Sequence, residues 1–437
     1  MKRDKAAALQ SAPILRLMLT FSGGTLAALV LSGLYTLTDT LFVSYAVGAQ
    51  AVGGVSVAFP FVMFQSAVST ALGGGAATLV SQKMGKNEPA AAGEIALNAM
   101  LTFWLTALLV TVLGLLSLDG FLRYSGLSGS LYSYAREYLQ IILLGNLFST
   151  GFSSVIRAEG NIRYGVLIWV IPVTLNILLD YLFLLQWGFG VRGSAIATVL
   201  AQFVSFSMSL LFFARFSVLR FRGARLHIKT VLRILAIGLP SLVQQSGLAL
   251  SLAVMNMALG RAGGEAAVTV YGFIYRILVF AYYPFLAVTQ ALSPVASSSY
   301  AAEKHDRVRA ATRIAMTLAV GSGVLLCVLL CVFPESVLRL LTDDGQVLTE
   351  GVPALRKAAL SLPFVPVSLV AGTLLQSQGR VKASLFLQSS GSVLCLFPVL
   401  LALWLVCGLD GVWYAPFAAA LLSAALTAVC FLRFRRM

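Results

Sequence analysis

Four polar side chains in apolar stretches of the sequence have the types and spacing needed to bind a cation. Asn176 and Asp180 lie four residues apart in WVIPVTLNILLDY, while Asp39 and Thr198 lie in SGLYTLTDTLF and GSAIATVL. Because residues four apart share one face of a helix, the Asn176 amide and the Asp180 carboxylate are predicted to lie together. Carboxylate, amide and hydroxyl oxygens suit a hard cation or a proton, and no His or Cys lies beside them in the sequence to favour zinc. The four residues are therefore the candidate site for a proton or a hard cation, with no other metal expected.

Asp180 and Pro172 each have two interpretations. A carboxylate in hydrocarbon costs about 2.5–3.5 kcal/mol on insertion scales, so Asp180 is either a functional acid or a structural acid paired at a helix end. Pro172 has no N–H for the carbonyl of Ile168 and should kink the helix. The freed carbonyl could bind an ion or a polar substrate, or the proline could simply be tolerated in a membrane helix. The sequence leaves both alternatives open.

The segments that carry these residues indicate an integral membrane protein. Of the 437 residues, 59% are hydrophobic and only 11% are charged, whereas a soluble protein is about one quarter charged. The apolar segments have the length of membrane-spanning helices rather than of the alternating strands of a β-barrel. The first follows a basic N-terminus without a cleavage site, so we interpret it as a retained helix. Twelve segments are long enough to cross, at about 15–38, 52–80, 94–117, 134–156, 164–186, 193–214, 232–259, 267–292, 311–333, 353–376, 384–406 and 412–432.

Basic residues predict the orientation of these spans. Of the 31 Lys and Arg, 23 lie at the ends of the predicted spans that share a side with the N-terminus, and seven lie at the opposite ends. By the positive-inside rule, both termini are cytoplasmic and the protein is a multi-pass component of the inner or plasma membrane. The net charge of +15 is therefore a topology signal, aided by anionic lipid, and not a nucleic-acid patch.

The two halves of the chain resemble each other. SSVIRAEGNIRYGV (153–166) and GTLLQSQGRVKASL (372–385) both place a Gly before a basic turn and a new span, and further pairs keep an offset of 215–219 residues. A repeat of six spans predicts an N-terminal lobe at 1–214, a basic cytoplasmic linker at 215–233 and a C-terminal lobe at 234–437.

The acids of the first copy have no counterpart in the second. The positions that correspond to Asp39 and Asp180 fall near Val254 and Val399, and no acid lies nearby. A structural ion pair would be expected in both copies of a repeat. The candidate ion site therefore belongs to the N-terminal lobe alone, which argues against a purely structural role.

A second group of side chains is a candidate lining for a substrate cavity. Arg276, in YGFIYRILVF, either contacts substrate or lipid or extends its charged end to the membrane surface. Aromatic rings can hold flat cations, although most aromatic residues in such a chain face lipid or pack. The aromatic candidates are Tyr35, Phe64, Trp169, Tyr275 and Tyr282.

The chain resembles the multidrug and toxic compound extrusion (MATE) transporters over essentially its whole length. The resemblance lies in the order and spacing of LYTLTDTLFV, GGGAATLVSQKMG, RAEGNIRYGV, NILLD, GSAIATVLAQ and IGLPSLVQQ. It implies an all-α polytopic membrane protein with 12 transmembrane helices in two six-helix bundles. These bundles would form pseudo-symmetric V-shaped lobes around a central cavity and would rock between inward-facing and outward-facing states.

Within that family, the sequence is similar to the branch named after a DNA-damage-inducible protein. That branch has an Asp in span one and an Asn-x-x-x-Asp in span five, which implies cation coupling by Asp39, Asn176 and Asp180. Thr198 would add an oxygen for Na⁺, and Tyr35 would be a neighbour of the site. The other prokaryotic branch also uses acids in spans seven and ten, and this sequence has none in either.

The resemblance implies a secondary antiporter that exports amphipathic, often cationic drugs or metabolites in exchange for H⁺ or Na⁺. No enzyme activity, cofactor, nucleic acid or obligate protein partner is expected; the partners are a small-molecule substrate and membrane lipid. The stretch GGGAATLVSQKMGK (73–86) lacks the ending of a phosphate-binding loop, so we expect it to serve close helix packing.

Two alternatives stay open. The first is a flippase of the same superfamily for a lipid-linked oligosaccharide or another lipid. Such a cavity would need several basic residues to bind a pyrophosphate, and only Arg276 lies well inside a span. The more remote alternative is an intramembrane enzyme, for which Asp39 and Asp180 lack a visible nucleophile or set of metal ligands.

Overall fold

The computed structural model describes residues 12–124, 129–148, 152–219, 226–342 and 345–434. Within these ranges every regular element is helical and no residue forms a strand, which confirms the predicted all-α class. The α-helices are α1 (Ile14–Ala46), α2 (Ala49–Gly85), α3 (Pro89–Tyr124), α4 (Gly129–Gly145), α5 (Phe152–Ala158), α6 (Ile162–Asp180), α7 (Gly190–Leu211), α8 (Ile228–Ala301), α9 (His305–Val332), α10 (Pro334–Arg339), α11 (Gly345–Ala359), α12 (Val365–Ser377), α13 (Val381–Ser389) and α14 (Leu396–Phe434).

Most of these helices are long and apolar because, in lipid, a helix satisfies its backbone hydrogen bonds within one segment. Nine helical segments within the described ranges could cross a membrane by length and composition. One of them, Val381–Cys430, covers two of the predicted spans. The predicted span 353–376 is divided between α11 and α12, because residues 360–364 form a turn. The count of twelve spans stays a prediction.

The backbone repeats with the offset found in the sequence. Residues with a positive φ angle form four pairs whose members lie 216 to 219 positions apart. Asn87 (φ 58°) and Glu303 (φ 59°) make the strongest case, because this conformation is rare for residues other than glycine. The pairs are Gly48 and Gly264, Asn87 and Glu303, Gly160 and Gly379, and Gly190 and Gly408.

Three π-helical segments continue α-helices of the chain. They are Tyr181–Gln186 after α6, Phe212–Phe216 after α7 and Ser390–Leu394 after α13. Because α6 and α13 both follow a left-handed glycine of the repeat, Gly160 and Gly379, the first and third segments follow equivalent helices. Such widened turns are frequent at functional sites.

The chain divides into two compact units. The first is Ala27–Gly238, and the second combines Ala12–Leu26 with the chain from Leu239 onward. Each has its own apolar core, around Leu122 and Leu139 in the first unit and around a larger cluster in the second. The helices α1 and α8 each contribute residues to both units.

Glycines let α2 and the start of α8 approach closely within the first unit. A Cβ atom on Gly75 would collide with the carbonyl oxygen of Ile234, and one on Gly238 would collide with that of Ala71. Because both obstacles are backbone atoms, neither can move aside unless the helices separate. The glycine-rich stretch of α2 thus serves helix packing, as the sequence analysis expected.

Gly75→Ala is expected to destabilise the protein by about 1–3 kcal/mol, because the added methyl group forces α2 away from α8. Gly120→Ala in α3 is the matched control, since a Cβ there meets no atom within 4 Å. Alanine favours a helix over glycine by about 1 kcal/mol, so the control should not lose stability. Thermal unfolding of the purified variants in detergent measures both changes. Equal melting temperatures for the two variants would contradict the close approach at Gly75.

Candidate functional site

Three helices of the first unit carry the four predicted cation ligands. Asp39 lies about two turns before the end of α1, and Asp180 is the last residue of α6, one turn after Asn176. Thr198 lies about two turns into α7. Because α6 and α7 pack against each other, candidate ligands that are distant in the sequence lie at a similar depth in the unit.

Two side-chain contacts connect α1 and α7 at this site. The Ser194 hydroxyl donates a 2.8 Å hydrogen bond to Oδ1 of Asp39, and the hydroxyl oxygens of Tyr35 and Thr198 lie 3.4 Å apart. Tyr35 and Asp39 are one turn apart on α1, as Ser194 and Thr198 are on α7, so the two contacts lie one above the other. Tyr35 is therefore a neighbour of the candidate ligands, and Asp39 has one hydrogen-bond donor.

Asp180 and Asn176 are buried polar residues. Asp180 is 0% exposed and Asn176 is 2% exposed. No N–H or O–H group of the described residues donates to either carboxyl oxygen of Asp180, and neither polar atom of the Asn176 amide has a hydrogen-bond partner among them. The Asp39 carboxyl lies within hydrogen-bonding range of Asp180, so the two can bond only when one of them carries a proton. An unpaired buried polar group costs about 1–3 kcal/mol, and a charged group costs more. A structural acid at a helix end would have a partner, so this arrangement favours a functional acid.

The two carboxyl groups lie close enough to interact directly. Two carboxylates at short range in apolar surroundings disfavour each other's charge, so a proton or a cation must accompany them. The Asn176 carbonyl and the Thr198 hydroxyl offer neutral oxygens of the kind that hard cations prefer. The arrangement of Asp39 and Asp180 can therefore hold one monovalent cation.

Two residues of the site were missed by the sequence analysis. Tyr138 on α4 is 7% exposed, and its phenol lies within interaction range of Asp39, Asp180 and Thr198. Ser194 had a usable signal, since it lies one helical turn before Thr198. No signal in the sequence identifies Tyr138, because its position beside the site depends on how α4 packs against α7.

Pro172 is buried inside α6, and the helix continues through it to Asp180. The Ile168 carbonyl, which the proline leaves without an intrahelical donor, accepts a 3.2 Å hydrogen bond from the Ser205 hydroxyl on α7. The freed carbonyl is therefore bound to the neighbouring helix here. The kink at Pro172 stays a prediction. Directly after Asp180 the helix widens into the π-helical segment Tyr181–Gln186.

The equivalent positions of the second half are apolar. The offset that relates Gly160 to Gly379 places Asn176 at Cys395 and Asp180 at Val399. Cys395 is 3% exposed and belongs to the core of the second unit, against which Val399 packs. In the part of the chain that the structure describes, no three His, Cys, Asp or Glu residues gather as a metal site.

Two of the predicted cavity residues besides Tyr35 belong to the first unit. Trp169 on α6 is 39% exposed, and its indole N–H donates a 3.0 Å hydrogen bond to the Ser153 hydroxyl. Phe64 lies on α2, and its side chain is outside what the structure describes. The role of either residue in substrate binding stays a prediction.

The remaining cavity candidates lie on α8 in the second unit. Tyr275 and Tyr282 are half-buried, and Arg276 is exposed. The ring of Tyr282 packs edge-on against Phe285 with centroids 5.8 Å apart. Exposure of Arg276 is compatible with contact to lipid or to substrate, and its role stays a prediction.

Comparison with known proteins finds the same architecture elsewhere. The sequence model of the MatE family matches residues 25–182 and 240–401. The chain is 23% identical over 414 residues to the probable multidrug resistance protein NorM of Thermotoga maritima, covering 92% of this chain and 89% of that protein. It is 21% identical over 436 residues to the multidrug export protein MepA of Staphylococcus haemolyticus, covering 98% and 95%.

A solved structure of a multidrug resistance MATE family transporter of the MOP superfamily, in an outward-facing conformation, has the same fold. It superposes with a TM-score of 0.92 at 23% identity, covering 98% of this chain and 97% of the other. The two segments that the family model matches fall in the two halves of the internal repeat. The predicted all-α polytopic fold is therefore confirmed, whereas the count of twelve spans, the two six-helix lobes and the branch within the family stay predictions.

Asn176→Leu is expected to raise the melting temperature in buffer without the coupling cation and to abolish stabilisation by that cation. Leucine keeps the branched shape but removes two buried polar atoms that lack partners, each worth about 1–3 kcal/mol. Asn146→Leu is the control, because the buried Asn146 amide donates to the Ala107 carbonyl at 3.2 Å and its loss should lower the melting temperature. Thermal unfolding with and without Na⁺, over a range of pH, measures both. A melting temperature of Asn176→Leu below that of the unsubstituted protein in cation-free buffer would contradict the assignment.

Proposed function

Because the chain belongs to the MatE family, we propose that it is a secondary antiporter that exports amphipathic, often cationic drugs or metabolites in exchange for H⁺ or Na⁺. It is a multi-pass membrane transporter and not an enzyme, as membership of this family of multidrug efflux transporters entails. The names of NorM and MepA, which refer to multidrug resistance and multidrug export, support drugs as the substrate class. One observation carries the coupling part of the proposal, namely the buried Asp180 carboxyl beside Asp39, to which no N–H or O–H group of the described residues donates.

Cation binding changes the charge of the carboxyl pair by one. Asp39 is on α1 and Asp180 is on α6, so a cation between them attracts both helices to the same point. Without the cation, the like charges disfavour that arrangement. A cation that binds two conformations of the first unit with different affinities shifts their populations by that difference, as coupling to substrate export requires. Asn176 and Thr198 would complete the site with neutral oxygens.

The electrical driving force is sufficient for useful export. One charge that moves inward through about 100 mV supplies about 2.3 kcal/mol. Since about 1.4 kcal/mol corresponds to a tenfold ratio, one cation per cycle sustains roughly a fortyfold substrate gradient. Export by this mechanism therefore needs neither ATP nor an organic cofactor.

We place the protein in the inner or plasma membrane with both termini in the cytoplasm. The support is the distribution of basic residues, 23 of the 31 Lys and Arg lying on one side of the predicted spans. In this orientation the N-terminal end of α6 faces the cytoplasm and Asp180 lies toward the outer side. The proposed working units are the N-terminal lobe 1–214 and the C-terminal lobe 234–437, which alternate between inward-facing and outward-facing states.

Substrate contacts are proposed for aromatic and basic side chains. Tyr275 and Tyr282 are half-buried tyrosines two turns apart on α8, and aromatic faces attract organic cations. Arg276 is exposed and would contact lipid or an anionic part of the substrate. Trp169 would supply a further aromatic face from α6. No nucleic acid and no protein partner is required by this proposal.

Asp39→Asn and Asp180→Asn are each expected to reduce cation-driven export at least about tenfold, because an amide cannot carry the charge that the cation neutralises. Asp119→Asn is the control, since Asp119 forms an exposed ion pair with Arg136 of a kind worth at most about 1 kcal/mol. Drug flux in proteoliposomes is measured first with a Na⁺ gradient alone and then with a pH gradient in Na⁺-free buffer, which identifies the coupling ion.

Two results would count against the proposal. Export at the unsubstituted rate by both the Asp39→Asn and the Asp180→Asn proteins would show that the carboxyl pair does not couple transport. Movement of a lipid-linked sugar across the bilayer without either ion gradient would instead support a flippase.

A further inference from the structure

A line of polar groups runs along α7 from the cation site to the other end of the helix. Its side chains recur at intervals of three or four residues and therefore share one face of α7. The line extends about 22 Å along the helix axis. Its members are Ser194, Thr198, Gln202, Ser205 and Ser209.

Hydrogen bonds join the Ser205 end of this face to α6, whereas Ser194 and Thr198 contact Asp39 and Tyr35 on α1. The Ser205 hydroxyl donates to the Ile168 carbonyl at 3.2 Å, and the Tyr164 hydroxyl donates to the Met208 carbonyl at 2.9 Å. The Ile168 carbonyl is available to α7 because Pro172, one turn later, has no N–H to donate to it. The proline thus adds a backbone oxygen to the seam between the two helices.

Asn176 is a further buried polar residue, on α6. It lies one turn from Pro172 and one turn from Asp180, so the three share a face of the helix. The amide is 2% exposed and neither its oxygen nor its nitrogen has a hydrogen-bond partner among the described residues. A buried amide is rarely left unpaired, because each unpaired group costs about 1–3 kcal/mol. The unpaired Asn176 amide therefore indicates, independently of the carboxyl pair, a polar or charged species beside it.

An apolar cluster closes the far end of the seam. Ile156, Ile168 and Phe212 are buried there, and the rings of Tyr164 and Phe212 have centroids 5.0 Å apart. Phe212 opens the π-helical segment Phe212–Phe216, where the helix is wider than an α-helix. Buried apolar side chains at this position disfavour the passage of a hydrated cation.

We propose that the coupling cation leaves its site toward the cytoplasm along this seam between α6 and α7, with the Ser205 hydroxyl and the Ile168 carbonyl as intermediate ligands. The inference rests on the proposed function, because it requires that Asp39 and Asp180 bind the cation and that the N-terminal end of α6 faces the cytoplasm. A cation can move between helices when protein oxygens replace its hydration water at short intervals. The Ser205 hydroxyl and the Ile168 carbonyl supply two such oxygens between α6 and α7. Release would require the rings of Tyr164 and Phe212 to separate.

The first test uses a pair of substitutions with the same shape. Ser205→Thr keeps the hydroxyl, whereas Ser205→Val replaces it with a methyl group and leaves the carbonyl without a partner. Transport by Ser205→Val should be at least about tenfold slower than by Ser205→Thr. Stabilisation of Ser205→Val by the coupling cation, measured as a shift of melting temperature, should be retained because the carboxyl pair is intact. Ser207→Val is the matched control, since the Ser207 hydroxyl bonds the Phe203 carbonyl of its own helix and is exposed.

The second test does not depend on transport activity. All five native cysteines lie between Cys327 and Cys430, so a cysteine introduced in α7 can be identified by mass spectrometry of the labelled peptide. Gln202→Cys should react with a membrane-impermeant cationic thiol reagent applied from the cytoplasmic side of inside-out vesicles under turnover conditions. Ser207→Cys should not react under the same conditions.

Four results would overturn the inference: transport by Ser205→Val at the unsubstituted rate, equal loss in Ser205→Val and Ser205→Thr, loss of cation stabilisation in Ser205→Val, and reaction of Gln202→Cys only from the outer side. The Asp180→Asn protein separates this inference from the proposed function. If Asp180→Asn fails to transport while Ser205→Val transports normally, only the exit route is wrong. If Asp180→Asn and Asp39→Asn both transport normally, the cation site itself is wrong.

Discussion

Two carboxyl groups that lie close together inside an apolar helical unit impose the constraint on which the other features of the site depend. Asp39 and Asp180 come from different helices, and no N–H or O–H group of the described residues donates to either Asp180 oxygen. The interior of a helical bundle has a low dielectric constant, so two adjacent negative charges there repel each other strongly. The pair therefore needs a proton or another cation, and we propose that exchange of this cation is coupled to transport. Hydroxyl groups from Ser194 and Thr198 hold α1 and α7 at this point without supplying that charge.

The internal repeat shows how such a site can be confined to one half of a symmetric fold. The left-handed residues Asn87 and Glu303 recur at equivalent positions, so the two halves share their backbone turns. The equivalents of Asn176 and Asp180, two of the proposed coupling residues, are apolar, since Cys395 and Val399 pack in or against the core of the second unit. Apolar packing and helix geometry form the fold in both halves, and polar groups placed on that fold give one half its chemistry.

The sequence predicted the fold better than it predicted the contacts of the site. Hydropathy, helical spacing and the repeat depend on local patterns, and they were sufficient to place Asn176 and Asp180 on one helix face. Helical spacing could also have identified Ser194, because it lies one turn before Thr198. Tyr138 and Ser205 were not, since their roles depend on which faces of α4, α6 and α7 pack together. The Ile168 carbonyl shows where prediction from sequence stops. Proline chemistry predicts that Pro172 leaves this carbonyl without a helical N–H donor, but helix packing determines that Ser205 becomes its partner.

The most direct test of the central claim is infrared difference spectroscopy of the purified protein, which detects the carbonyl stretch of protonated carboxylic acids. The signal is recorded while pH is stepped in Na⁺-free buffer and again while Na⁺ is added at constant pH. If Asp39 and Asp180 share one monovalent cation, a carboxylic-acid band should change in at least one of these experiments, and it should be absent from the Asp39→Asn or the Asp180→Asn protein. A band that is unchanged by both substitutions, or the lack of any change with pH and with Na⁺, would contradict the account.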